Sequence, residues 1–209
     1  DNARLRLEKQ KLEPVSMPDK TYSGIPASLV APTFSPVLFD IAEQEHSEYV
    51  FPGGRGSTKS SFCGLNVIDL LMKNENMHAC VLRSVANTLK DSVYSQILWA
   101  ISALGLDDEF ACTKSPLEIT RISTGQKIYF RGADDPHKIK SIKPPFGYIG
   151  IVWFEELDQF GGEEAVRTIE QSVIRGGERA YKFKSFNPPK SAQNLSLIHI
   201  SEPTRLALI

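Results

Sequence analysis

Hydrophobic positions along this chain fall into blocks, and the period within each block names an element. Phe62, Leu65, Ile68 and Leu71 recur at three-residue steps and predict a helix over roughly 59–73. Leu89, Val93, Ile97, Ile101 and Leu104, with steps of four and three, predict a helix over 88–104. Val166, Ile169 and Val173 do the same for 163–174. Leu38-Phe39-Asp40-Ile41, after Pro26, Pro32 and Pro36, predicts the start of another helix. Between the helices lie short apolar runs at 49–51, 78–82 and 149–154. The last, Ile149-Gly-Ile-Val-Trp-Phe154, holds no charge and no proline, the pattern of a parallel strand buried on both faces. Tyr181-Lys-Phe-Lys-Ser-Phe186 alternates like a further strand and stops at Asn187. Segments 117–122 and 127–130 flank Ser-Thr-Gly-Gln, a hairpin signal. Strands alternating with helices predict an α/β fold with a mainly parallel central sheet flanked by helices. The hairpin is either an insertion or an antiparallel flank.

Composition narrows the class. A length of 209 residues suits one α/β domain. The polar opening predicts an amino-terminal arm over 1–30, ahead of a domain at 31–194. The formal net charge of −1 gives no global basic field, so contact with nucleic acid must come from local patches. Lys138, Lys140 and Lys143 form one such patch, whose plainer reading is a solvated loop. Three widely spaced cysteines support neither a disulfide framework nor a zinc site. No apolar run reaches the length of a membrane span.

The chemistry concentrates in Phe51-Pro-Gly-Gly-Arg-Gly-Ser-Thr-Lys-Ser-Ser61, between a strand and a helix. Glycines free backbone N–H groups to face phosphate oxygens, and the following helix offers its positive end. Gly53, Gly54, Arg55, Gly56, Ser57, Thr58, Lys59, Ser60 and Ser61 are therefore candidates for binding nucleotide. Lys59 would reach the β- and γ-phosphates, and the Ser60 hydroxyl would reach Mg²⁺. The strict pattern has glycine where this chain has Thr58. The plain alternative is a glycine-rich turn before an ordinary helix.

A second signal lies at the end of the buried strand, where Glu155 and Glu156 arrive at the ligand-binding edge of a parallel sheet. Glu155 would hold Mg²⁺, although this position is usually Asp. Glu156 would deprotonate the attacking water. Alternatively, paired acids merely open a solvated helix. Ser185-Phe186-Asn187-Pro188-Pro189 is the third element; it puts a hydroxyl and an amide beside the γ-phosphate, or it is an ordinary turn. Phe34, Phe39 and Tyr49 are candidates for stacking on a base, with core packing the plainer reading. Arg175 fits either a finger reaching a neighbouring subunit's nucleotide or a cap on its own helix.

In this order and spacing, Gly-Gly-Arg-Gly-Ser-Thr-Lys-Ser, Trp-Phe-Glu-Glu and Phe-Asn-Pro-Pro resemble the large subunit of tailed-phage terminases. The stretch from Gly132 to Lys143 is similar to one those proteins carry before the second motif. The resemblance covers roughly 30–194 and implies a DNA-packaging ATPase domain. Its fold would be a P-loop NTPase of the additional-strand, catalytic-glutamate type, with an extra strand between the two nucleotide-binding strands. The resemblance further implies ATP and Mg²⁺ as ligands and double-stranded DNA as the translocated partner. A portal protein and a small terminase subunit would be its other partners. A ring would form only on the portal, in the host cytoplasm. Arg55 would contact phosphate as part of the catalytic set with Lys59 and Glu156, and Ser185 and Asn187 would couple γ-phosphate to movement. Nothing matches the family's nuclease domain. Two other functions stay open on the residues alone: a helicase-like P-loop ATPase, and a nucleotide-binding scaffold without turnover. The run after Asn194 resembles the read-through of a sequencing adapter. Residues 195–209 are therefore expected to be a non-native tail, with the natural protein continuing differently.

Overall fold

A computed structural model describes residues 22–188. Seven strands form one sheet: β1 (Glu48–Pro52), β2 (Met77–Arg83), β3 (Phe110–Lys114), β4 (Leu117–Arg121), β5 (Lys127–Gly132), β6 (Tyr148–Glu155) and β7 (Tyr181–Phe186). Their order is β1-β7-β6-β2-β5-β4-β3. Only β4 runs against the others. The hairpin is thus an antiparallel flank, and its second strand, β5, pairs in parallel with β2. As the family resemblance implies, an extra strand, β7, lies between β1 and β6.

Helices cover both faces. α1 (Ser35–Glu43), α2 (Lys59–Lys73) and α3 (Ser95–Ala103) share one buried cluster with Phe51, Val81, Trp153 and Phe183. α4 (Pro136–Lys140) and α5 (Glu163–Val173) share the other with Leu82, Val152 and Phe154. Every residue of α2 from Phe62 to Leu71 is buried, so the helix is enclosed all round rather than along one stripe. Full burial of Leu65, Ile68 and Leu71 contributes about 1.5–3 kcal/mol each. Phe34 stacks on Phe62 at 4.5 Å and Tyr49 is buried, so neither is free to stack on a base. Phe39 is 69% exposed on α1.

Polar side chains fasten this layer. Asp69 on α2 accepts from Tyr22 Oη at 2.8 Å and from Lys73 Nζ at 2.7 Å. Ile25 and Leu29 pack on the same core. Within the expected arm, therefore, residues 22–30 lie against the domain; residues 1–21 and the tail at 195–209 fall outside the described residues. Fully buried Gln126, in the hairpin turn, donates to the carbonyls of Leu71 (3.1 Å), Asn74 (2.8 Å) and Met77 (2.7 Å). The first two are acceptors that the end of α2 leaves open, and the third ties the turn to the start of β2.

Three details depart from the sequence pattern. The helix expected over 88–104 is composite: a 3₁₀ turn (Ala86–Thr88), a π-helical turn (Lys90–Tyr94) and then α3. A stripe stepping by four drifts about 40° per step around a 3.6-residue helix. The wider turn, closed by Tyr94 N donating to Leu89 O at 3.0 Å, takes up that drift. Second, β3 and α4 were not legible as elements. α4 starts from Asp135, whose carboxylate accepts from Lys138 N at 3.1 Å, with Pro136 at its first position. Third, β6 carries a bulge: His78 pairs with Ile149 but Ala79 pairs with Ile151, leaving Gly150 unpaired. A Cβ on Gly150 would stand 2.7 Å from Met77 Cγ. Among the described residues, no helix is long and apolar enough to cross a membrane.

Candidate active site

Four parallel strands end together, and their carboxyl ends bring the candidate residues to one place. β1 leads into the glycine-rich loop, whose Gly53 N donates to Phe186 O of β7 at 3.1 Å. The loop runs into α2, whose first N–H groups have no partner within the helix. Gly56 has φ +82°, and Thr58 sits in the left-handed region at φ 60°, ψ 9°. The loop therefore adopts at Thr58 the backbone for which glycine is suited, with a β-branched side chain attached. This costs about 1–3 kcal/mol. Thr58→Gly removes the strain but adds about 0.5–1 kcal/mol of unfolded-chain entropy. The net gain is about 0–2.5 kcal/mol, so the expected result is a Tm raised by up to about 10 °C, read by thermal denaturation; a lower Tm would mean that the Thr58 side chain stabilises the loop.

Buried Lys59 donates to Asn187 Oδ1 at 2.9 Å and to Gly54 O at 3.3 Å. The first and third sequence elements, 128 positions apart at these residues, are thus in direct contact. Ser60 Oγ donates to Glu155 Oε1 at 2.6 Å, joining the first element to the second. Ser185 lies opposite Glu155 in the β6–β7 register and donates to Glu155 Oε2. It is fully buried, so it meets the cleft through Glu155 rather than standing beside a γ-phosphate, a correction to the sequence reading. Ser61 Oγ accepts from Gln96 Nε2 of α3 at 3.4 Å. Gly54 and Arg55 are exposed on the loop, and Ser57 is half-buried there.

Glu156 leaves the strand with φ 56°, ψ 55°, a left-handed geometry that turns its carboxylate aside from Glu155. There it pairs with the guanidinium of Arg83, nine-tenths buried at the end of β2. The sequence reading missed Arg83. The available signal was a lone charge directly after the apolar run 78–82, at the ligand edge of a parallel strand.

A cleft of ≈ 400 Å³ opens at this point, lined by Ser60, Arg83, Gln96, Trp99, Glu155 and Glu156, among others. Ser60 and Glu155 present hard oxygen donors, the kind Mg²⁺ takes, and leave most of an octahedron to phosphate and water. Among the described residues, no group of three or more His, Cys, Asp or Glu is placed to hold a metal alone. The Ser60 and Glu155 oxygens fit a hard cation that takes its remaining ligands from elsewhere. Below the site, burial and then the Glu155 carboxylate push the Cys63 thiol well above its ordinary pKa, so it is a neutral core thiol.

Other candidates stand apart. Lys138 pairs with Asp135 at 3.0 Å, while Lys140 and Lys143 are exposed. Arg175 does not cap its own helix; its Nη2 donates to Lys140 O at 3.5 Å, at the end of α4.

Known proteins resemble this chain in sequence and in fold. The terminase large subunit of Bacillus phage SPP1 is 41% identical over 167 residues, covering 78% of this chain and 39% of the phage protein. The chain thus spans about two-fifths of that relative's length. The large terminase of a thermophilic bacteriophage superposes with a TM-score of 0.60 at 11% identity, over 79% of this chain and 40% of that one. The same thermophilic phage protein is also matched in complex with ADP and with ATP-gamma-S. The N-terminal domain of the DNA packaging ATPase from bacteriophage phi29 superposes with a TM-score of 0.57 at 15% identity, over 85% and 89%. These structural likenesses establish a common fold. The profile of the phage terminase large subunit family matches residues 45–201, which include the loop, the paired glutamates and the Ser185–Asn187 strand end. The chain belongs to the family of phage terminase large subunits.

Proposed function

We propose that this chain binds ATP with Mg²⁺ in the cleft and hydrolyses it as the motor part of a terminase large subunit. Hydrolysis would drive double-stranded DNA into a procapsid. One observation carries the reading: Lys59 touches Asn187 and Ser60 touches Glu155, so hydrogen bonds tie loop, acidic strand end and third strand together beside the cleft. The nucleotide complexes of the thermophilic phage terminase and the packaging ATPase of phi29 support it.

The residues divide the work. Backbone N–H groups across Gly53–Ser61 surround the phosphates, and Lys59 exchanges Asn187 for the β- and γ-phosphates. Arg55, exposed on the same loop, is free to meet phosphate from the solvent side. Ser60 and Glu155 would hold Mg²⁺, which neutralises charge on the β- and γ-oxygens when bound. Glu156 takes a proton from water as its oxygen bonds to the γ-phosphorus. The bond from that phosphorus to the β–γ bridging oxygen breaks, and ADP leaves with the electron pair. Asn187, released by Lys59, carries the change along β7, consistent with a coupling role for Ser185 and Asn187. A portal protein, a small terminase subunit, a ring assembled on the portal and a host-cytoplasmic setting belong to the same reading.

Steady-state phosphate release by the purified chain tests it. We expect turnover of ATP that EDTA abolishes and added double-stranded DNA accelerates. A chain that neither binds nor turns over ATP with Mg²⁺ present would overturn the assignment.

A further inference from the structure

We propose that Trp153 is a positioning residue for the metal-holding carboxylate, acting through Ser185. This rests on reading the cleft as a site for Mg²⁺ with nucleotide. Trp153 and Glu155 are two apart on β6 and project to the same face of the sheet. The indole Nε1 of Trp153 donates to Ser185 Oγ at 2.8 Å, and both residues are fully buried. An indole N–H can only donate, so it occupies a lone pair of the hydroxyl. The Ser185 proton then has Phe154 O at 3.3 Å and Glu155 Oε2 in reach, of which the carboxylate is nearer, with the neutral Cys63 thiol as a further, weaker partner. Glu155 consequently accepts at both oxygens, from Ser185 on one and from Ser60 on the other. A carboxylate held at both ends cannot rotate. The lone pairs of Ser60 Oγ stay available because its proton is committed to Glu155.

Such a chain of donors has a functional signature distinct from packing. A tryptophan kept for bulk alone needs no partner for its nitrogen, whereas here that nitrogen fixes the direction of a proton next to a ligand oxygen. Partners of this kind behind a metal ligand commonly change metal affinity by about 10–100-fold when removed. Trp153 lines the cleft beside Ser60 and Glu155 but is no part of the glycine-rich loop that would take the phosphates, so nucleotide affinity without Mg²⁺ should stay as it is.

The test is calorimetric titration of ATP-gamma-S at a series of Mg²⁺ concentrations, on the full chain. Three variants are compared with the wild type: Trp153→Phe, Ser185→Ala and their combination. We expect each single change to raise the Mg²⁺ concentration for half-maximal nucleotide affinity about tenfold. The double change should add little to the larger single effect, because both break one relay. Affinity without Mg²⁺ should be unchanged in all three. Benzothienylalanine at position 153, which keeps the bicyclic ring and lacks the N–H donor, should reproduce the Trp153→Phe shift in a filled core. If Trp153→Phe fails to fold, that replacement decides the matter. An unchanged Mg²⁺ midpoint for the benzothienyl chain, with the wild type responding to Mg²⁺, overturns the role of Trp153 alone. Additive effects in the double variant, or loss of Mg²⁺-free affinity, also overturn it. A wild type whose nucleotide affinity ignores Mg²⁺ overturns the site reading and this inference together.

Discussion

Glu156→Gln is expected to keep ATP affinity within about threefold and to lose turnover by about 10²–10⁴-fold, the range of a general base. Glutamine matches glutamate in length, and its amide oxygen can still accept from Arg83. The left-handed turn at Glu156 and the end of β6 should therefore be retained. An amide cannot accept the proton of attacking water at neutral pH, so the loss falls on turnover rather than binding. Stability should fall by about 1–2 kcal/mol, because the nine-tenths buried guanidinium of Arg83 loses a charged partner that is itself 28% exposed. Phosphate release and calorimetry with ATP-gamma-S separate the two effects. Turnover within tenfold of the wild type would assign the base elsewhere.

Lys59→Ala should weaken ATP binding by about 10²-fold or more. A charge-assisted bond is worth about 1.5–3 kcal/mol, and the ammonium is placed to reach two phosphates. The same ammonium bridges Asn187 and Gly54 from a buried position. Removing it also leaves the Asn187 amide oxygen without that donor, so the start of α2 loses its tie to the end of β7. The result should be a raised Kd, with occupancy recovered only at correspondingly higher ATP concentration. Calorimetry with ATP and with ATP-gamma-S measures it, and an unchanged Kd would remove the loop from the nucleotide site.

Much of this site was legible because its parts obey local rules. Residues 59–73 and 181–186 match helix and strand to the residue, since apolar spacing and strong terminators coincide there. The paired glutamates follow a strand with no other role for a charge. What the sequence pattern missed depends on neighbours far along the chain. Arg83 acquires meaning only when β2 lies beside β6. Ser185 was placed at the γ-phosphate because a strand end was expected to be open, but pairing with Glu155 buries it. The π-helical turn left its trace in the steps of four between Leu89 and Ile101, which no regular α-helix follows for long. Thr58 argued against a phosphate loop by residue type, yet its backbone takes the left-handed form.

The unpaired Gly150 decides which side of the sheet holds the chemistry. Ile149 contributes to the α4–α5 cluster, whereas Ile151 and Trp153 contribute to the cluster around α2. Had Gly150 taken a regular place in the ladder, the alternation counted from Ile149 would run unbroken along β6. Glu155 would then face away from Ser60, and Val152 and Phe154 would confront α2. A lone small residue five positions upstream thus determines the face of the sheet on which the cleft opens.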